Sequence, residues 1–210
     1  MSVASKSSNS ITSSSEDITG VILAGGKSLR YGKNKALAKI HGTPLIEKVI
    51  SVMQPIFEYL IIITNTPHEY DYLQLPMYED LLKGLGPVGG IYTGLEAISN
   101  ESGFFVACDM PFLHSDLIRH MVEIRGDFDA VVPKVDWKIE PLHAIYTRNC
   151  LPAIKKLIDA QSYQIIRFFD NIRVRYVKEE EIRSFDSRLK SFLNVNSPGE
   201  LTDAGRLEDW

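Results

Sequence analysis

Residues 18–26 read Ile-Thr-Gly-Val-Ile-Leu-Ala-Gly-Gly, an apolar run that ends in two glycines. A run of this length before a glycine turn predicts a buried strand, because strands covered on both faces are apolar at successive positions. The residues that follow, as far as Lys35, are rich in glycine and in basic side chains. We therefore expect a buried strand over residues 18–24 that leads into a basic, glycine-rich loop.

The alternation of apolar runs with helical patterns continues along the chain. Further strands are predicted at residues 59–64, 103–107, 130–132, 141–147 and 172–177. A first helix opens at Pro44, because Leu45, Val49, Val52 and Ile56 recur at helical spacing on one face. Other helices are predicted at residues 87–98, 115–125, 151–160 and after the capping box Ser-Pro-Gly-Glu at 197–200. Strands that alternate with helices predict an α/β fold whose mostly parallel sheet is covered on both faces.

Length and composition limit the classes of protein to which the chain can belong. It has 210 residues, 44% of them hydrophobic, and a formal net charge of −4. These values fit a single domain over residues 18–210, preceded by a flexible serine-rich extension over residues 1–17. Neither nucleic acid nor a membrane is an expected partner, because a broad basic surface and an apolar run of roughly 20 residues are both missing. The two cysteines, Cys108 and Cys150, lack a metal-ligand spacing, which favours a reducing compartment such as the cytoplasm.

Three polar clusters follow predicted strands of the sheet. They are residues 25–35, the pair Thr64–Asn65, and Asp109. In open α/β sheets, ligands bind beyond the carboxyl ends of the strands. We therefore expect the three clusters to face one cleft.

The first cluster has the composition of a phosphate-binding loop. Gly25 and Gly26 allow the backbone N–H groups to approach an anion, and Arg30 and Lys35 add two full positive charges. Together they suit a triphosphate. The loop is neither a Walker A motif nor a dinucleotide fingerprint. The alternative is a glycine-rich turn whose basic side chains are only solvated.

The other clusters supply oxygen atoms. Asp109 is a candidate ligand for magnesium, which is usually held by one or two carboxylates together with phosphate oxygens. Asn65 and Asp80 offer acceptors, and Asn65 also donors, that could contact the edge of a base. Each of the three could instead be an ordinary turn or capping residue. Cys108 has no obvious partners for nucleophilic chemistry and is better explained as a small buried thiol.

Five motifs in order resemble the molybdenum cofactor guanylyltransferase family, over most of residues 18–201. The first is Leu-Ala-Gly-Gly at 23–26 with the basic positions up to Lys35, and the second is Gly-Pro-Val-Gly-Gly at 86–90. The third is Cys-Asp-Met-Pro at 108–111. The last two are Pro-Leu-His-Ala-Ile-Tyr at 141–146 and Asn-Val-Asn-Ser-Pro at 194–198.

The resemblance implies a Rossmann-like, three-layer α/β/α nucleotidyltransferase fold that uses GTP and Mg²⁺ to transfer GMP to molybdopterin or Mo-molybdopterin. It also implies transient contacts with other proteins of the molybdenum cofactor pathway. Arg30, Lys35 and Asp109 are the implied catalytic residues, and Asp109 would hold the metal. Asn194 and Asn196 are similar to positions that face the pterin. The implied nucleotide contacts are Leu23, Ala24, Gly25, Gly26, Lys35, Asn65, Asp80 and Asp109.

One position departs from the family pattern. Asn34 stands where the family usually has an aspartate, so the loop lacks one acidic charge. A nucleotide-binding regulatory homologue with little turnover is therefore one alternative. A cytidylyltransferase is another, although those relatives typically have Leu-Ala-Ala-Gly in the first motif and lack the Gly-Pro turn seen here at Gly86 and Pro87.

Overall fold

The computed structural model describes residues 17–25 and 34–208, which form a three-layer arrangement of helices and strands. Apart from Asp17, the predicted serine-rich extension lies outside these residues. The strands are β1 (Ile18–Leu23), β2 (Lys39–Ile40), β3 (Thr43–Pro44), β4 (Tyr59–Ile63), β5 (Met77–Tyr78), β6 (Ser102–Ala107), β7 (Ala130–Val135), β8 (Lys138–Ile139), β9 (His143–Thr147) and β10 (Val174–Lys178). The α-helices are α1 (Leu45–Met53), α2 (Pro87–Ala97), α3 (Ser115–Glu123), α4 (Leu151–Asp159), α5 (Glu179–Arg183) and α6 (Pro198–Glu208).

One sheet of 8 strands runs through the molecule in the order β10-β7-β9-β6-β1-β4-β5, with β8 paired to β7. Strand β1 pairs in parallel with β4 and with β6. Strand β9 is antiparallel to both of its neighbours, β6 and β7. The prediction of a mostly parallel sheet is confirmed. The chain leaves β1 towards β4 and later returns to its other side as β6, so the strand order reverses at β1.

The side chains of β1 alternate between the two faces of the sheet, as the period of a strand requires. Ile18 and Ile22 belong to the apolar cluster beneath α1 and α3. Val21 and Leu23 belong to a second cluster beneath α2 and α4. All six residues of β1 are buried, so this strand contributes to both hydrophobic cores. The expected helix–sheet–helix layering is therefore confirmed.

Glycines bring α2 unusually close to the sheet. A Cβ atom on Gly94 would lie 2.5 Å from Cε1 of Phe105 on β6, nearer than atoms can approach. The helix begins after Gly86, whose φ of 60° and ψ of −147° are readily adopted only by glycine. The Gly-Pro turn therefore determines where the first turn of α2 lies.

The elements that sequence patterns did not predict are short or depend on distant partners. They are the β2–β3 hairpin, β5, β8 and α5, none longer than five residues. The first helix ends at Met53, so Ile56 is buried beyond it rather than on its face. Within residues 17–25 and 34–208, no helix has the length and apolar character needed to cross a membrane.

Candidate active site

The parallel strands deliver the predicted polar residues to one edge of the sheet. Leu23, the last residue of β1, is paired with Ile63 of β4 and with Ala107 of β6. Ile63 is in turn paired with Tyr78, the last residue of β5. Gly25, Asn65, Asp80 and Asp109 therefore follow strands that all end at this edge. Because the strand order reverses at β1, this is the edge at which open α/β sheets generally bind their ligands.

Lys35, Asp109 and Asn196 meet in a cluster, which we call the lysine–aspartate cluster. The Lys35 ammonium forms an ion pair with Oδ2 of Asp109 and donates a hydrogen bond of 2.7 Å to Oδ1 of Asn196. These partners lie 74 and 161 positions from Lys35 along the chain. The Lys35 and Asp109 side chains are 14% and 20% exposed, so water screens their attraction only partly. The predicted approach of Lys35 to the strand-end acid is present in the structure.

Backbone contacts hold Asp109 and Asn196 in register. The Cys108 N–H donates to the Leu23 carbonyl at 3.1 Å, which ties the end of β6 to the end of β1. The Val195 N–H donates to the Asp109 carbonyl at 3.0 Å. The segment that carries Asn196 is thus attached directly to the acid.

The predicted capping box is also part of this arrangement. Oγ of Ser197 accepts the Glu200 N–H at 3.2 Å, as an N-cap residue does. The Glu200 carboxylate accepts the N–H of Asn196 rather than that of Ser197. The start of α6 therefore fixes the backbone of Asn196 beside Lys35.

One oxygen of Asp109 is buried without a hydrogen-bond partner. Oδ2 is engaged by Lys35, whereas Oδ1 has no partner among the described residues. A buried carboxylate oxygen is costly to leave unpaired. A hard cation with oxygen ligands would satisfy it, so this residue fits magnesium. In the described part of the chain no three acidic, histidine or cysteine side chains group as metal ligands, so substrate oxygens would complete the coordination.

Asn65 and Asp80 form a reciprocal pair on the other side of β1. Nδ2 of Asn65 donates to Oδ2 of Asp80 at 2.7 Å, and the Asp80 N–H donates to Oδ1 of Asn65 at 3.2 Å. Oδ1 of Asp80 is buried and has no partner among the described residues. This oxygen lies near the first turn of α2, 3.9 Å from the position of a Cβ on Gly90. The pair therefore presents one fixed, unfilled acceptor.

The remaining predicted nucleotide contacts behave differently from one another. Leu23 and Ala24 are buried, and their backbones already bond to the sheet, through the Leu23 carbonyl to Cys108 and the Ala24 N–H to Ile63. Gly25 is exposed, and a Cβ there would meet no atom of residues 17–25 or 34–208 within 4 Å. Gly26 and Arg30 lie outside the described residues.

Asn194 is exposed and, among the described contacts, does not reach the lysine–aspartate cluster.

The thiol of Cys108 does not take part in ionic chemistry. Desolvation raises its pKa to about 12, and the neighbouring Asp109 carboxylate adds to this rise. The group stays a neutral thiol at physiological pH. Cys108 is only partly buried, rather than buried as expected, but its neutral thiol agrees with the expectation of an inert side chain.

Sequence patterns singled out Asn34 but missed the two residues that its side chain contacts beside the Lys35 turn, Glu69 and Tyr70. Oδ1 of Asn34 accepts the Ala36 N–H at 3.1 Å and so caps the 3₁₀ turn Lys35–Leu37. Nδ2 of Asn34 donates to the Glu69 carboxylate and, at 2.8 Å, to the Tyr70 hydroxyl. Glu69 and Tyr70 belong to none of the motifs, so only their positions in space connect them with the site.

Comparisons with known proteins show the family to which the chain belongs. Residues 20–175 match the model of the MobA-like NTP transferase domain. The chain is 36% identical over 185 residues to a probable molybdenum cofactor guanylyltransferase of Carboxydothermus hydrogenoformans, covering 88% of this chain and 93% of that one. It is 37% identical over 186 residues to the probable molybdenum cofactor guanylyltransferase of Pelotomaculum thermopropionicum, covering 89% and 91%.

Solved structures share the fold. The crystal structure of molybdopterin-guanine dinucleotide biosynthesis protein A from Archaeoglobus fulgidus superposes with a TM-score of 0.80 at 28% identity, over 91% of this chain and 99% of that one. A 4-diphosphocytidyl-2C-methyl-D-erythritolsynthase from Anaerococcus prevotii, at 12% identity and a TM-score of 0.70, shares the fold alone. From the family model and the curated relatives, this chain belongs to the MobA-like NTP transferases, in the molybdenum cofactor guanylyltransferase family.

Proposed function

We propose that this protein transfers GMP from GTP to the phosphate of molybdopterin or Mo-molybdopterin, forming molybdopterin guanine dinucleotide and pyrophosphate. The observation that carries the proposal is the contact of Lys35 with Asp109 and Asn196 at the point where the strand order reverses. The names of the curated relatives and of the structural neighbour support the same activity.

The nucleotide would lie across the carboxyl end of β1. The described residues leave space beside the backbone of Gly25, as close approach of a phosphate requires. Lys35 carries three N–H donors on a flexible stem. Two of these donors contact Asp109 and Asn196 in the free protein, and rotation of the stem can direct donors to phosphate oxygens. Arg30, which lies outside the described residues, is proposed to add a second cation on the same side.

Asp80 is proposed to select guanine. An ionised carboxylate only accepts hydrogen bonds, and Oδ1 of Asp80 is fixed in place with no partner among the described residues. The Watson–Crick edge of guanine carries adjacent N–H donors, whereas the corresponding edge of cytosine presents mostly acceptors. The paired arrangement of Asp80 with Asn65 therefore favours GTP over CTP.

The reaction is a single displacement at phosphorus. An oxygen of the acceptor phosphate forms a bond to the α-phosphorus of GTP, the bond from that phosphorus to the bridging oxygen breaks, and pyrophosphate leaves with its electron pair. A phosphate is already anionic at neutral pH, so no strong general base is needed. Orientation and neutralisation of negative charge therefore supply most of the rate.

We propose separate roles in this reaction for Asp109, Lys35 and Asn196. Asp109 would hold Mg²⁺, which when bound neutralises charge on the phosphate oxygens and orients them. Lys35 would leave its ion pair with Asp109 and donate to the departing pyrophosphate. Asn196 accepts from Lys35 in the free protein, and its position at the start of α6 suits contact with the acceptor. Asn194 stays a prediction for the same acceptor.

The decisive experiment combines the purified protein, GTP, MgCl₂ and molybdopterin. We expect pyrophosphate release and molybdopterin guanine dinucleotide, both dependent on the acceptor. Parallel reactions with CTP and ATP test the base, and EDTA followed by Mg²⁺ tests the metal. Dinucleotide formation from CTP at a rate equal to that from GTP would refute guanine selection. Binding of GTP without any turnover would instead support a regulatory homologue.

Three broader expectations accompany this function. We propose residues 18–210 as one catalytic domain, which expression without residues 1–17 would test. We propose the cytoplasm as its compartment, because GTP is available there and both cysteines are free thiols. Other proteins of the molybdenum cofactor pathway are proposed as transient partners, which crosslinking in cells would identify.

A further inference from the structure

Asn34 connects the 3₁₀ turn Lys35–Leu37 with the 3₁₀ turn Pro67–Glu69 and its capping residue Tyr70, which we call the Glu69–Tyr70 turn. It immediately precedes Lys35, and its side chain reaches Glu69 and Tyr70, which lie 35 and 36 positions away. Its amide nitrogen donates to the Glu69 carboxylate, and its amide oxygen accepts from the Ala36 N–H and from the Tyr70 hydroxyl at 3.1 Å. Both ends of this amide are therefore engaged, the nitrogen by the Glu69–Tyr70 turn and the oxygen by both turns.

We propose that Asn34 is a positioning residue for Lys35, and that it has to be an amide here because it faces the Glu69 carboxylate. The consequence for GTP rests on the proposed function, whereas the positioning itself does not. An amide can donate from one end and accept at the other. The amide nitrogen of Asn34 donates to the Glu69–Tyr70 turn, and its amide oxygen caps the Lys35 turn.

An aspartate at position 34 could not make the same contacts. It would still accept the Ala36 N–H, but its second oxygen would face the Glu69 carboxylate in place of a donor. Two carboxylates at hydrogen-bonding distance repel each other unless one binds a proton. The Lys35 turn would then move away from the Glu69–Tyr70 turn, and the Lys35 ammonium would lose its alignment with Asp109.

Tyr70 makes this arrangement rigid. Its side chain is fully buried and its hydroxyl lies within hydrogen-bonding distance of both polar atoms of the Asn34 amide. Burial raises the pKa of this phenol well above its usual value, so the group stays neutral and can donate. The turn that Asn34 grips is therefore anchored in the hydrophobic core.

Asn34 stands where the family usually has an aspartate, but an acidic side chain still lies beside this loop. A carboxylate is present in direct contact with the amide, but it belongs to Glu69 on another segment. Position 34 carries an amide and position 69 a carboxylate. The proposal predicts that a protein with the carboxylate at position 34 and the amide at position 69 keeps the contact. Exchange of the pair provides the test.

The test compares Asn34→Asp, Glu69→Gln and the double variant in the full chain. The first readout is the rate at which an amine-reactive reagent labels Lys35 in the free protein, measured by mass spectrometry. The second is the dissociation constant for GTP with Mg²⁺. For Asn34→Asp we expect Lys35 labelling to rise severalfold and GTP affinity to fall about tenfold, the effect of one lost charge-assisted hydrogen bond.

The double variant should reverse both changes, because the amide that Glu69→Gln introduces would donate to the carboxylate that Asn34→Asp introduces. Glu69→Gln alone should change little, since its amide oxygen still accepts from Asn34. Asp159→Asn, which removes one carboxylate from an exposed ion pair with Lys155, is the control for the loss of a surface charge. A role in folding alone would lower thermal stability without this reversal of Lys35 labelling.

Each outcome decides one part of the proposal. Unchanged labelling of Lys35 in Asn34→Asp, or no recovery in the double variant, would overturn it. Changed labelling together with a wild-type protein that binds no GTP would uphold the positioning and defeat the proposed function instead. If Asn34→Asp does not fold, Glu69→Ala removes the same acceptor, and wild-type labelling in that variant would overturn the proposal.

Discussion

Asp109 and Asp80 lie on opposite sides of β1, and the oxygens of their carboxylates have the same pattern of contacts. Each has one oxygen in a side-chain contact and a second oxygen that is buried without a partner in the described structure. The difference is the partner, which is the Lys35 cation for Asp109 and the Asn65 amide for Asp80. The direct partner of Asp109 therefore carries a positive charge, whereas the direct partner of Asp80 is a neutral amide.

We propose that this difference gives two similar side chains different chemistry. A carboxylate that already binds a cation can exchange it for another cation, which suits metal binding and phosphate chemistry. A carboxylate held by a neutral amide remains an acceptor for N–H donors, which suits the edge of a base. The environment of each acid, rather than the acid itself, separates the two roles.

Asp109→Asn should have the largest effect. It keeps the size of the side chain but removes the charge that would hold Mg²⁺, so we expect GMP transfer to fall about 1,000-fold. Pyrophosphate release at saturating GTP and MgCl₂ measures it, with Asp159→Asn as the matched change at an exposed ion pair. Activity within about tenfold of wild type would remove Asp109 from the proposed metal site.

Lys35→Ala should have a smaller effect on turnover, about 100-fold, because a single side-chain cation is lost while the metal ligand remains. GTP affinity should fall as well, measured by titration calorimetry. The variant also frees both oxygens of Asp109, so affinity for Mg²⁺ alone should increase. Unchanged GTP affinity would assign Lys35 a structural role as the partner of Asp109.

Asp80→Asn should weaken GTP binding about tenfold and leave the maximal rate nearly unchanged, because one hydrogen bond to a charged group is lost at a distance from the reacting phosphorus. The preference for GTP over CTP should fall by the same factor. Kinetics with each nucleotide separate KM from kcat. A fall in kcat with constant KM would place Asp80 at the reaction centre and erase its contrast with Asp109.

His143 tests whether a buried, unpartnered polar group has to be a binding site. Both ring nitrogens lack partners in the described structure, yet the ring lies between Phe104 and Phe192, at 5.1 and 5.2 Å between centroids. Burial lowers its pKa from 6.5 to about 3, although the charge of Asp186 opposes the shift. We expect His143→Phe to retain GMP transfer, which would separate this residue from the two acids.

The same histidine predicts how stability depends on pH. In the unfolded chain His143 binds a proton near pH 6.5, whereas in the folded protein it stays neutral until about pH 3. The unfolded state therefore binds more protons in this window, and stability falls as the pH decreases through it, by at most about 1.4 kcal/mol per unit. Urea unfolding at about pH 7 and pH 5.5 should show roughly 1 kcal/mol more loss in wild type than in His143→Phe. Equal losses would mean that the ring is solvated.

Much of the fold was predictable because its signals are local. Apolar runs at β1, β4 and β6 mark buried strands, and each is followed by the turn that carries a candidate residue. Strand β5 was not predictable, because its two residues form a strand only through pairing with β4. The direction of β9 was also not predictable, since parallel and antiparallel buried strands have similar composition.

The sequence by itself determined the α/β class, the glycine-rich loop after β1 and the strand-end position of Asp109, because each depends on residues within a few positions of one another. Only the tertiary structure decided which side chains meet. It brought Asn196 to Lys35 across 161 positions and gave Asn34 its contact with Glu69. It also left one oxygen of both Asp80 and Asp109 without a partner within the described part of the chain. Such contacts depend on strand register and helix packing, which short-range patterns do not encode.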